Sequence, residues 1–436
     1  MENLKKGCKI LVVTWGSRGD VQPMIAFTKQ LQEAGFEVAL QGSKNAKDLA
    51  EKYKVRHIEV SCDPDKILAS PVVMEMIKTN NFTRLPEIPE WNDNYGIMPE
   101  EMRKAMEDFD VLICIAAIWE HAYLVHKKTG KPVIGVMLQP YFPTGDFGPI
   151  VMDNEPFRKD PKTNLEKWEE RAKFNVTMNF PLINKYCEEW KLPLPTHPLG
   201  WLGEFRFVDK IPVIGGFSEL AIGGRPSDWP DYVNTAGYFF LESDVKTLDE
   251  KIETFLKKKE DEKPVFFSFG SMKFADPKKT LELATAIRKK LGYRVILSAG
   301  WMEFADSDIP QDEDFLFIKG APYDLLFPRC SVIVHHGGAG TTASALLSGV
   351  PQVVVAFFTD QPFWAAAMKK IGVGANPLEY QKLEEKDLLE NVKLAHDDPG
   401  LIKTAAEIGA KIQQEKGASK AVEMVTKLLK DLIPSA

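Results

Sequence analysis

Apolar runs of strand length alternate with segments of helical periodicity over the first 150 residues. The run ILVVTW begins at Ile10, and apolar residues of the next segment, residues 20–35, recur at helical spacing. Gly35 ends this predicted helix, and FEVALQG is predicted to form the next strand. Two later apolar runs, DVLICIAAI and KPVIGVML, flank the helix-like segment HAYLVHKKTG. This alternation predicts a parallel sheet that is covered by helices on both faces.

A second alternating series begins with KPVFFSFGSM at residue 263. Its predicted strands are RVILSAG, FLFIKG, CSVIVHH and QVVVAFF, with helices starting near Asp276, Thr341 and Gln361. We therefore predict an α/β protein with two doubly wound, Rossmann-like domains that face a central cleft, which favours an enzyme with two substrates. The predicted boundaries are 1–240 for the N-terminal domain, 241–262 for a charged linker, 263–415 for the C-terminal domain and 416–436 for a helix that packs back on the first domain.

Residues 70–105 and 141–235 lack this alternation and are rich in proline, methionine and aromatic residues. They are predicted to leave the sheet as long excursions that wall an apolar pocket. Irregular packing over the domain surface is the alternative for any single residue among them.

Composition narrows the class of protein. With 44% hydrophobic and 27% charged residues the chain is typical of a soluble globular protein, and its net charge of −7 gives no reason to expect a nucleic-acid partner. Five scattered cysteines without a Cys-x-x-Cys pair predict free buried thiols in a reducing compartment, the cytoplasm. Residues 330–359 carry no charged side chain, but glycines and a proline break them into strand-length pieces, so at most peripheral membrane contact is expected.

The stretch VIVHHGGAGTTASALL combines a strand, a glycine turn and the start of a helix. Helix N-terminal N–H groups and threonine hydroxyls suit a phosphate, and His336 can add a donor or a partial positive charge. A glycine turn with threonine N-caps is the alternative. Adjacent histidines on a strand point to opposite faces, so no metal site is predicted.

Asp360 and Gln361 follow the next predicted strand, at the same edge of the sheet. A carboxylate and an amide side by side can bind vicinal sugar hydroxyls. The alternative is that Asp360 only caps the helix QPFWAAAMKK.

Together with GSRGDVQP, the motifs HHGGAGTT and DQPFW resemble the family 1 glycosyltransferases of the GT-B fold, in particular the sterol 3-β-glucosyltransferase and glycopeptide glycosyltransferase branch. The plant-type members carry a ribose-binding glutamate where this chain has Ser344, so the ribose contact must come from elsewhere. The resemblance implies an inverting transfer of a sugar, glucose first, from a UDP-sugar to a hydroxyl of an apolar acceptor such as a sterol, with no metal. It also implies the donor-binding set Ser17, Arg18, Gly19, Ser271, Trp301, Pro322, Tyr323, His336, Gly338, Gly340, Thr341, Thr342, Asp360 and Gln361.

The catalytic base is predicted to be Asp20. Many family 1 enzymes have a histidine in the matching turn, and this chain has Gly-Asp-Val-Gln-Pro there. Asp20 could instead be the N-cap of its helix, and a capping carboxylate would be a weaker base. Arg18 could pair with Asp20 or reach the donor phosphates, and Glu120 and His121 are alternative acid–base groups. Alternatives to the whole function are another acceptor, an epimerase activity and a UDP-sugar-binding protein without catalysis.

Overall fold

Two parallel sheets form the framework of the chain. The computed structural model describes residues 7–73, 75, 95–151, 153, 155–242, 245–270, 272, 275–300 and 302–433. The first sheet has the strand order β3-β2-β1-β4-β5-β6-β7 and the second the order β10-β9-β8-β11-β12-β13. All registered strand pairs in both sheets are parallel, for example Leu11 beside Ala39 and Val334 beside Phe267. The predicted α/β architecture is confirmed.

The strands are short, and most of them are buried along their length, as the apolar runs predicted; the edge strands β3, β7 and β13 are more exposed. Those of the first sheet are β1 (Lys9–Val13), β2 (Glu37–Gly42), β3 (His57–Glu59), β4 (Val111–Ile115), β5 (Val133–Met137), β6 (Val213–Gly215) and β7 (Val233–Thr235). Those of the second are β8 (Val265–Ser268), β9 (Val295–Ser298), β10 (Phe315–Ile318), β11 (Val332–His335), β12 (Gln352–Ala356) and β13 (Leu378–Glu379).

Helices connect the strands and cover the sheets. In the first half they are α1 (Arg18–Glu33), α2 (Lys47–Lys52), α3 (Pro64–Ala69), α4 (Met98–Ala105), α5 (Trp119–Thr129), α6 (Pro161–Trp190) and α7 (Gly200–Gly203). In the second half they are α8 (Glu250–Lys258), α9 (Pro277–Ala286), α10 (Tyr323–Leu326), α11 (Ala339–Ser348), α12 (Gln361–Lys370), α13 (Glu385–Asp397), α14 (Pro399–Gln413) and α15 (Gly417–Leu432).

The strand order reverses between β1 and β4 in the first sheet and between β8 and β11 in the second. Ligands of doubly wound sheets bind at such switch points, beyond the carboxyl ends of the strands. The GSRGD turn follows β1 and the HHGGAGTT turn follows β11, so both motifs lie at switch points.

The interpretation of residues 141–235 as a long excursion off the sheet was wrong in part. This segment contains the 30-residue helix α6, but also the sheet strand β6 and the edge strand β7. The helix was missed because its apolar and polar residues do not separate cleanly, and the two strands were missed because each has only three residues. Much of the other excursion, residues 76–94, lies outside the described residues.

The predicted linker and the last helix both bury apolar side chains in hydrophobic clusters. Within the linker, α8 buries Ile252, Phe255 and Leu256 in a cluster that also contains Phe266 of β8. The last helix packs on α1, where Ser419 Oγ donates to Gln30 Oε1 at 2.9 Å, and buries Leu429 in the same cluster as the first sheet. All five cysteines are free and buried, as predicted. In the part of the chain that the structure describes, no helix is long and apolar enough to cross a membrane.

Candidate active site

The GSRGD turn holds Asp20 inside a capping box at the start of α1. Ser17 is the N-cap, and its hydroxyl accepts from Gly19 N at 3.2 Å. Asp20 Oδ2 accepts from Ser17 N at 2.8 Å and from Ser17 Oγ at 3.2 Å. The alternative of Asp20 as N-cap was therefore wrong, because the helix begins two residues before Asp20, at Arg18. These hydrogen bonds fix the orientation of the carboxylate, and Asp20 stays partly exposed.

The environment of Asp20 makes it a stronger base than a capping carboxylate usually is. Burial raises the pKa of Asp20 to about 6, and this effect outweighs the lowering by the two hydrogen bonds from Ser17. The negative charge of Asp360, which belongs to the second domain, raises the pKa further. A pKa near the working pH is what general-base catalysis requires. It follows that the Asp20 and Asp360 carboxylates face the same cleft from opposite domains.

Arg18 does not pair with Asp20. Its Nε donates to Gln22 Oε1 at 3.1 Å, one turn along α1. Burial raises the pKa of Tyr323, a residue of the second domain, and the positive charge of Arg18 lowers it. Of the two roles considered for Arg18, the structure therefore favours the one that reaches across the cleft.

The glycine turn after β11 presents the first turn of α11 to the cleft. Gly337 has φ 86°, and Gly338 is the N-cap. The helix thus begins at Ala339, two residues earlier than predicted, so the backbones of Gly340 and Thr341 both lie in its first turn. N–H groups there lack an intrahelical acceptor and can bind an anion. Thr342 is fully buried, and its hydroxyl has no hydrogen-bond partner among the described residues.

The two histidines before this turn have different environments. His335 Nε2 lies 2.9 Å from Gln352 Oε1, and its Nδ1 accepts from Gly337 N at 3.1 Å. These contacts fix one neutral tautomer and stabilise the turn. The ring planes of His335 and His336 are 86° apart.

His336 lies between two glycine turns. A Cβ on Gly338 would lie 2.5 Å from His336 Nε2, and one on Gly270 would lie 2.9 Å from Cε1. Burial, and then the neighbouring His335, lower the pKa of His336 to about 3. A neutral ring can donate a hydrogen bond to a phosphate oxygen, so the donor role is favoured over the positive charge.

Asp360 is held by both domains. Its Oδ1 accepts from Thr359 Oγ1 at 3.0 Å and its Oδ2 from Trp364 Nε1 at 3.1 Å. Gln139, in the loop after β5, adds a hydrogen bond from the first domain. Asp360 occupies the N-cap position of α12, but its side chain caps no backbone N–H. The N-cap alternative therefore does not account for this carboxylate.

Gln361 is largely committed to its own loop. Its Oε1 accepts from Phe357 N at 2.8 Å and from Phe358 N at 3.3 Å, and its side chain is buried. Only its amide NH₂, 3.5 Å from Met272 Sδ, is available to a ligand.

The remaining predicted donor residues lie on the second domain. Pro322 is the N-cap of α10, and the Tyr323 ring stacks on Phe327 with centroids 4.3 Å apart. Ser344 donates to Gly340 O at 3.0 Å, so its hydroxyl turns back to its own helix. The predictions for Ser271 and Trp301 lie outside the described residues.

Glu120 and His121 are buried in the first turn of α5. Glu120 Oε2 accepts from Asn179 Nδ2, and burial raises the pKa of Glu120 to about 7. Burial lowers the pKa of His121 to about 3. Among the described residues, neither side chain forms a hydrogen bond with Asp20, so the structure does not bring the alternative acid–base groups together with the predicted base.

Comparison with known proteins agrees with this geometry. Residues 10–119 match the model of the glycosyltransferase family 28 N-terminal domain, and residues 308–430 match that of the erythromycin biosynthesis protein CIII-like C-terminal domain. The chain is 29% identical to O-mycaminosyltylonolide 6-deoxyallosyltransferase of Streptomyces fradiae, over 96% of each chain. It is 27% identical to a sterol 3-beta-glucosyltransferase of Arabidopsis thaliana, over 98% of this chain and 69% of the relative. The chain belongs to the family 1 GT-B glycosyltransferases.

Solved structures share the fold of this GT-B glycosyltransferase. The kitacinnamycin glycotransferase has a TM-score of 0.74 at 16% identity, covering 97% of this chain and 99% of its own. The calicheamicin glycosyltransferase CalG4 has a TM-score of 0.72 at 14% identity, covering 98% and 99%. A sterol 3-beta-glucosyltransferase of Yarrowia lipolytica is 26% identical over 95% of this chain, which spans only 28% of that relative.

Sequence reasoning missed two residues of the glycosyltransferase cleft. Gln139 contacts Asp360, and Gln22 holds Arg18. Gln139 had a usable signal, since it follows the carboxyl end of a predicted strand. Among the described residues, no group of three or more His, Cys, Asp or Glu side chains is placed to hold a metal ion.

Proposed function

We propose that this glycosyltransferase is an inverting enzyme that moves a sugar, glucose first, from a UDP-sugar to a hydroxyl of an apolar small molecule. The observation that carries the proposal is the Asp20 carboxylate, which Ser17 holds at the switch point of the first sheet and whose pKa is raised by burial and by the charge of Asp360 from the second domain. A base on one domain and a sugar-binding carboxylate on the other suit a reaction between two substrates.

In the proposed reaction the acceptor hydroxyl attacks C1 of the sugar. The new C–O bond forms as the bond from C1 to the diphosphate oxygen breaks, and the diphosphate leaves with the electron pair. Asp20 takes the hydroxyl proton, which it can do because its raised pKa is still close to neutral pH. Attack opposite the leaving group inverts the anomeric configuration.

The donor side is proposed to stabilise the departing diphosphate without a metal. Backbone N–H groups of Gly340 and Thr341 in the first turn of α11 lie at the positive end of the helix dipole. The neutral His336 ring can donate to a phosphate oxygen, and Arg18 can add positive charge from the first domain. Asp360 and the amide of Gln361 are proposed to bind the sugar hydroxyls.

The donor nucleotide and the acceptor are proposed from relatives and composition. Curated relatives are named as sterol 3-beta-glucosyltransferases, which supports glucose and a sterol as first candidates. Two structural neighbours, SsfS6 and VinC, are complexes with thymidine diphosphate, so thymidine donors belong in the test. The free buried cysteines support a cytoplasmic location.

The experiment combines a donor–acceptor panel with an Asp20→Asn variant. UDP-glucose and dTDP-glucose are offered with sterols, phenols and macrocycles, and products are detected by mass. We expect Asp20→Asn to bind UDP with unchanged affinity in calorimetry and to transfer no sugar. Asp48→Asn, an exposed position on α2, is the matched control and should keep full activity.

Other results would favour the alternatives. Transfer near the wild-type rate by Asp20→Asn would refute the base assignment. UDP-sugar binding with no product from the wild-type chain and any acceptor would favour a binding protein. Conversion of the sugar itself without an acceptor would favour an epimerase.

A further inference from the structure

A cluster of buried and half-buried polar side chains lies in the first domain beside the cleft. We call Glu120, His121, Tyr141, Arg171, Asn179 and Arg206 the acceptor-side cluster. They come from α5, the loop after β5, α6 and the segment before β6. The proposed reaction uses none of them.

The helix α6 contributes a polar stripe beside its buried apolar residues. Arg171, Asn175 and Asn179 are four residues apart and so lie on one face. Arg171 Nη2 and Asn175 Nδ2 lie 3.4 and 3.5 Å from the Tyr141 hydroxyl, and Asn179 donates to Glu120. Helices that pack on a domain normally bury apolar residues on the inner face. α6 also buries apolar residues, among them Ala172 and Met178, so its half-buried polar stripe lies beside them and marks a space for polar groups.

Two buried members of the cluster have unused hydrogen-bonding atoms. Arg206 is 2% exposed, lies 5.5 Å from the Trp119 ring centroid, and donates from Nη2 to Tyr141 O at 2.7 Å. Its Nε has no hydrogen-bond partner among the described residues. His121 is 1% exposed, and neither ring nitrogen meets hydrogen-bond geometry with a described residue, although the Tyr95 backbone lies near. Such groups are retained where a ligand or water completes their hydrogen bonds.

The cluster borders the proposed site at two places. The rings of Trp15 and Tyr95 have centroids 5.1 Å apart, and those of Tyr95 and His121 are 4.2 Å apart. Trp15 precedes the Ser17 cap by two residues, so these rings lead from the Asp20 turn to the cluster. On the other side, Gln139 contacts Asp360 and lies two residues before Tyr141. The cluster therefore lies within reach of an acceptor bound at Asp20.

The charge of the cluster is positive. Burial lowers the pKa of Arg206 to about 10, which leaves it protonated at neutral pH. Burial raises the pKa of Glu120 to about 7, against the lowering by Asn179 and Arg206, which weakens its negative charge near neutral pH. The cluster thus contains two guanidinium groups, those of Arg171 and Arg206, and one carboxyl group, that of Glu120.

We propose that the acceptor-side cluster binds an oxygen-rich anionic group of the acceptor, a carboxylate first, at the end remote from the hydroxyl that receives the sugar. This proposal rests on the proposed function. It narrows the acceptor class from any apolar alcohol to an apolar hydroxy acid or a comparably oxygenated molecule, and it disfavours a sterol with a plain hydrocarbon side chain. Guanidinium groups bind carboxylates in fixed geometry, which gives selectivity as well as affinity.

The test compares acceptors that differ only at the remote end. One series is para-propylphenol, para-hydroxyphenylpropionate and para-(aminopropyl)phenol, and a second pairs a sterol with the steroid acid of the same ring system. Binding is measured by tryptophan fluorescence in the presence of UDP, and kcat/KM by product mass. We expect the carboxylate to be preferred by about tenfold or more over the neutral molecule, with the amine weakest.

A matched pair of variants assigns the preference to the cluster. Arg171→Met should remove about tenfold of the carboxylate preference through KM, with UDP affinity unchanged. Lys173→Met, on the exposed face of the same helix, should keep it. Arg171 is half-buried, so this variant avoids the folding risk of replacing Arg206.

Three results would overturn the assignment: a preference for the neutral or amino acceptor, an equal loss for all acceptors in Arg171→Met, or no binding of either series while UDP still binds. Failure of UDP itself to bind would refute the proposed function instead.

Discussion

Gly16 and Asp20 are so close that no side chain fits between them. A Cβ added to Gly16 would lie 2.3 Å from Asp20 Oδ2 and 2.7 Å from its Cγ. The backbone of Gly16 also has φ 129°, which favours glycine. The first glycine of the GSRGD turn therefore makes room for the carboxylate that is proposed to act as the base.

Gly16→Ala should lower kcat by about tenfold or more and leave UDP affinity unchanged, because the added methyl group must displace the Asp20 carboxylate. Sugar transfer and UDP calorimetry measure the two effects. Gly35→Ala is the control: it has a comparable strained backbone, φ 94°, at the end of the same helix, with nothing within 4 Å of the added Cβ. Equal losses of activity in both variants would mean that backbone strain, and not the clash, is responsible.

The pH dependence of transfer should follow the ionisation of Asp20. A base works only when deprotonated, so kcat/KM should fall below pH 6 and reach about a tenth of its plateau near pH 5. A profile that stays flat down to pH 4.5 would contradict the raised pKa.

Two variants should shift the acidic limb of the pH profile, the pH range in which kcat/KM falls, in opposite directions. Ser17→Ala removes a hydrogen bond that lowers the pKa of Asp20, so the limb should move to higher pH. Asp360→Asn removes a negative charge that raises the same pKa, so the limb should move to lower pH. The position of the limb is compared and not the plateau rate, since Asp360 is also proposed to bind the sugar.

The sequence predicted the regular part of the fold well, because buried parallel strands such as β4 and β11 are continuous apolar runs. It also predicted the turns that carry Asp20, His336 and Asp360, since glycines and short polar motifs follow those strands directly.

Side-chain environments could not be predicted in the same way. A capping carboxylate suggested a lowered pKa for Asp20, but tertiary burial raises it, and so does the charge of Asp360, 340 residues away in the chain. Gln139 contacts Asp360 only because the two domains meet. The polar face of α6 was hidden for the same reason, as Asn179 acquires its partner Glu120 only through tertiary packing.

His336→Ala should weaken UDP-sugar binding by about tenfold to a hundredfold, the effect of losing one hydrogen bond to a charged group. Because the pKa of His336 is lowered to about 3 in the free protein, its protonation should not change between pH 6 and pH 8, and the weakening should be the same at both. Calorimetry with UDP at the two pH values measures it. His396→Ala, on the surface helix α13, is the control, and a loss of affinity confined to low pH would contradict the neutral donor role.

Chelation should leave transfer unchanged. The proposed site uses the first turn of α11, His336 and Arg18 for the charge of the diphosphate, so activity in EDTA should equal activity in added Mg²⁺ or Mn²⁺. A chelator-sensitive rate that a divalent cation restores would refute metal independence.

Gly338→Ala tests the same diphosphate site by changing the protein. Its Cβ would lie 2.5 Å from His336 Nε2, so the variant should weaken UDP binding with or without metal.

Phe363 connects the donor loop to the first domain and should be important for stability. It is fully buried in α12, two residues after Gln361, and its ring centroid lies 5.1 Å from that of Phe157 and 5.5 Å from that of Phe147. Phe363→Ala should lower the free energy of unfolding by about 3–5 kcal/mol through the cavity it leaves. Ile402→Ala, at an exposed position on α14, should change it by no more than about 0.5 kcal/mol.

Since α12 begins beside Asp360, a correctly folded Phe363→Ala protein should also have a raised KM for the sugar donor. Denaturant unfolding and donor kinetics on the same preparations separate the two effects, and an unchanged donor KM in a destabilised variant would show that Asp360 is positioned without this interface.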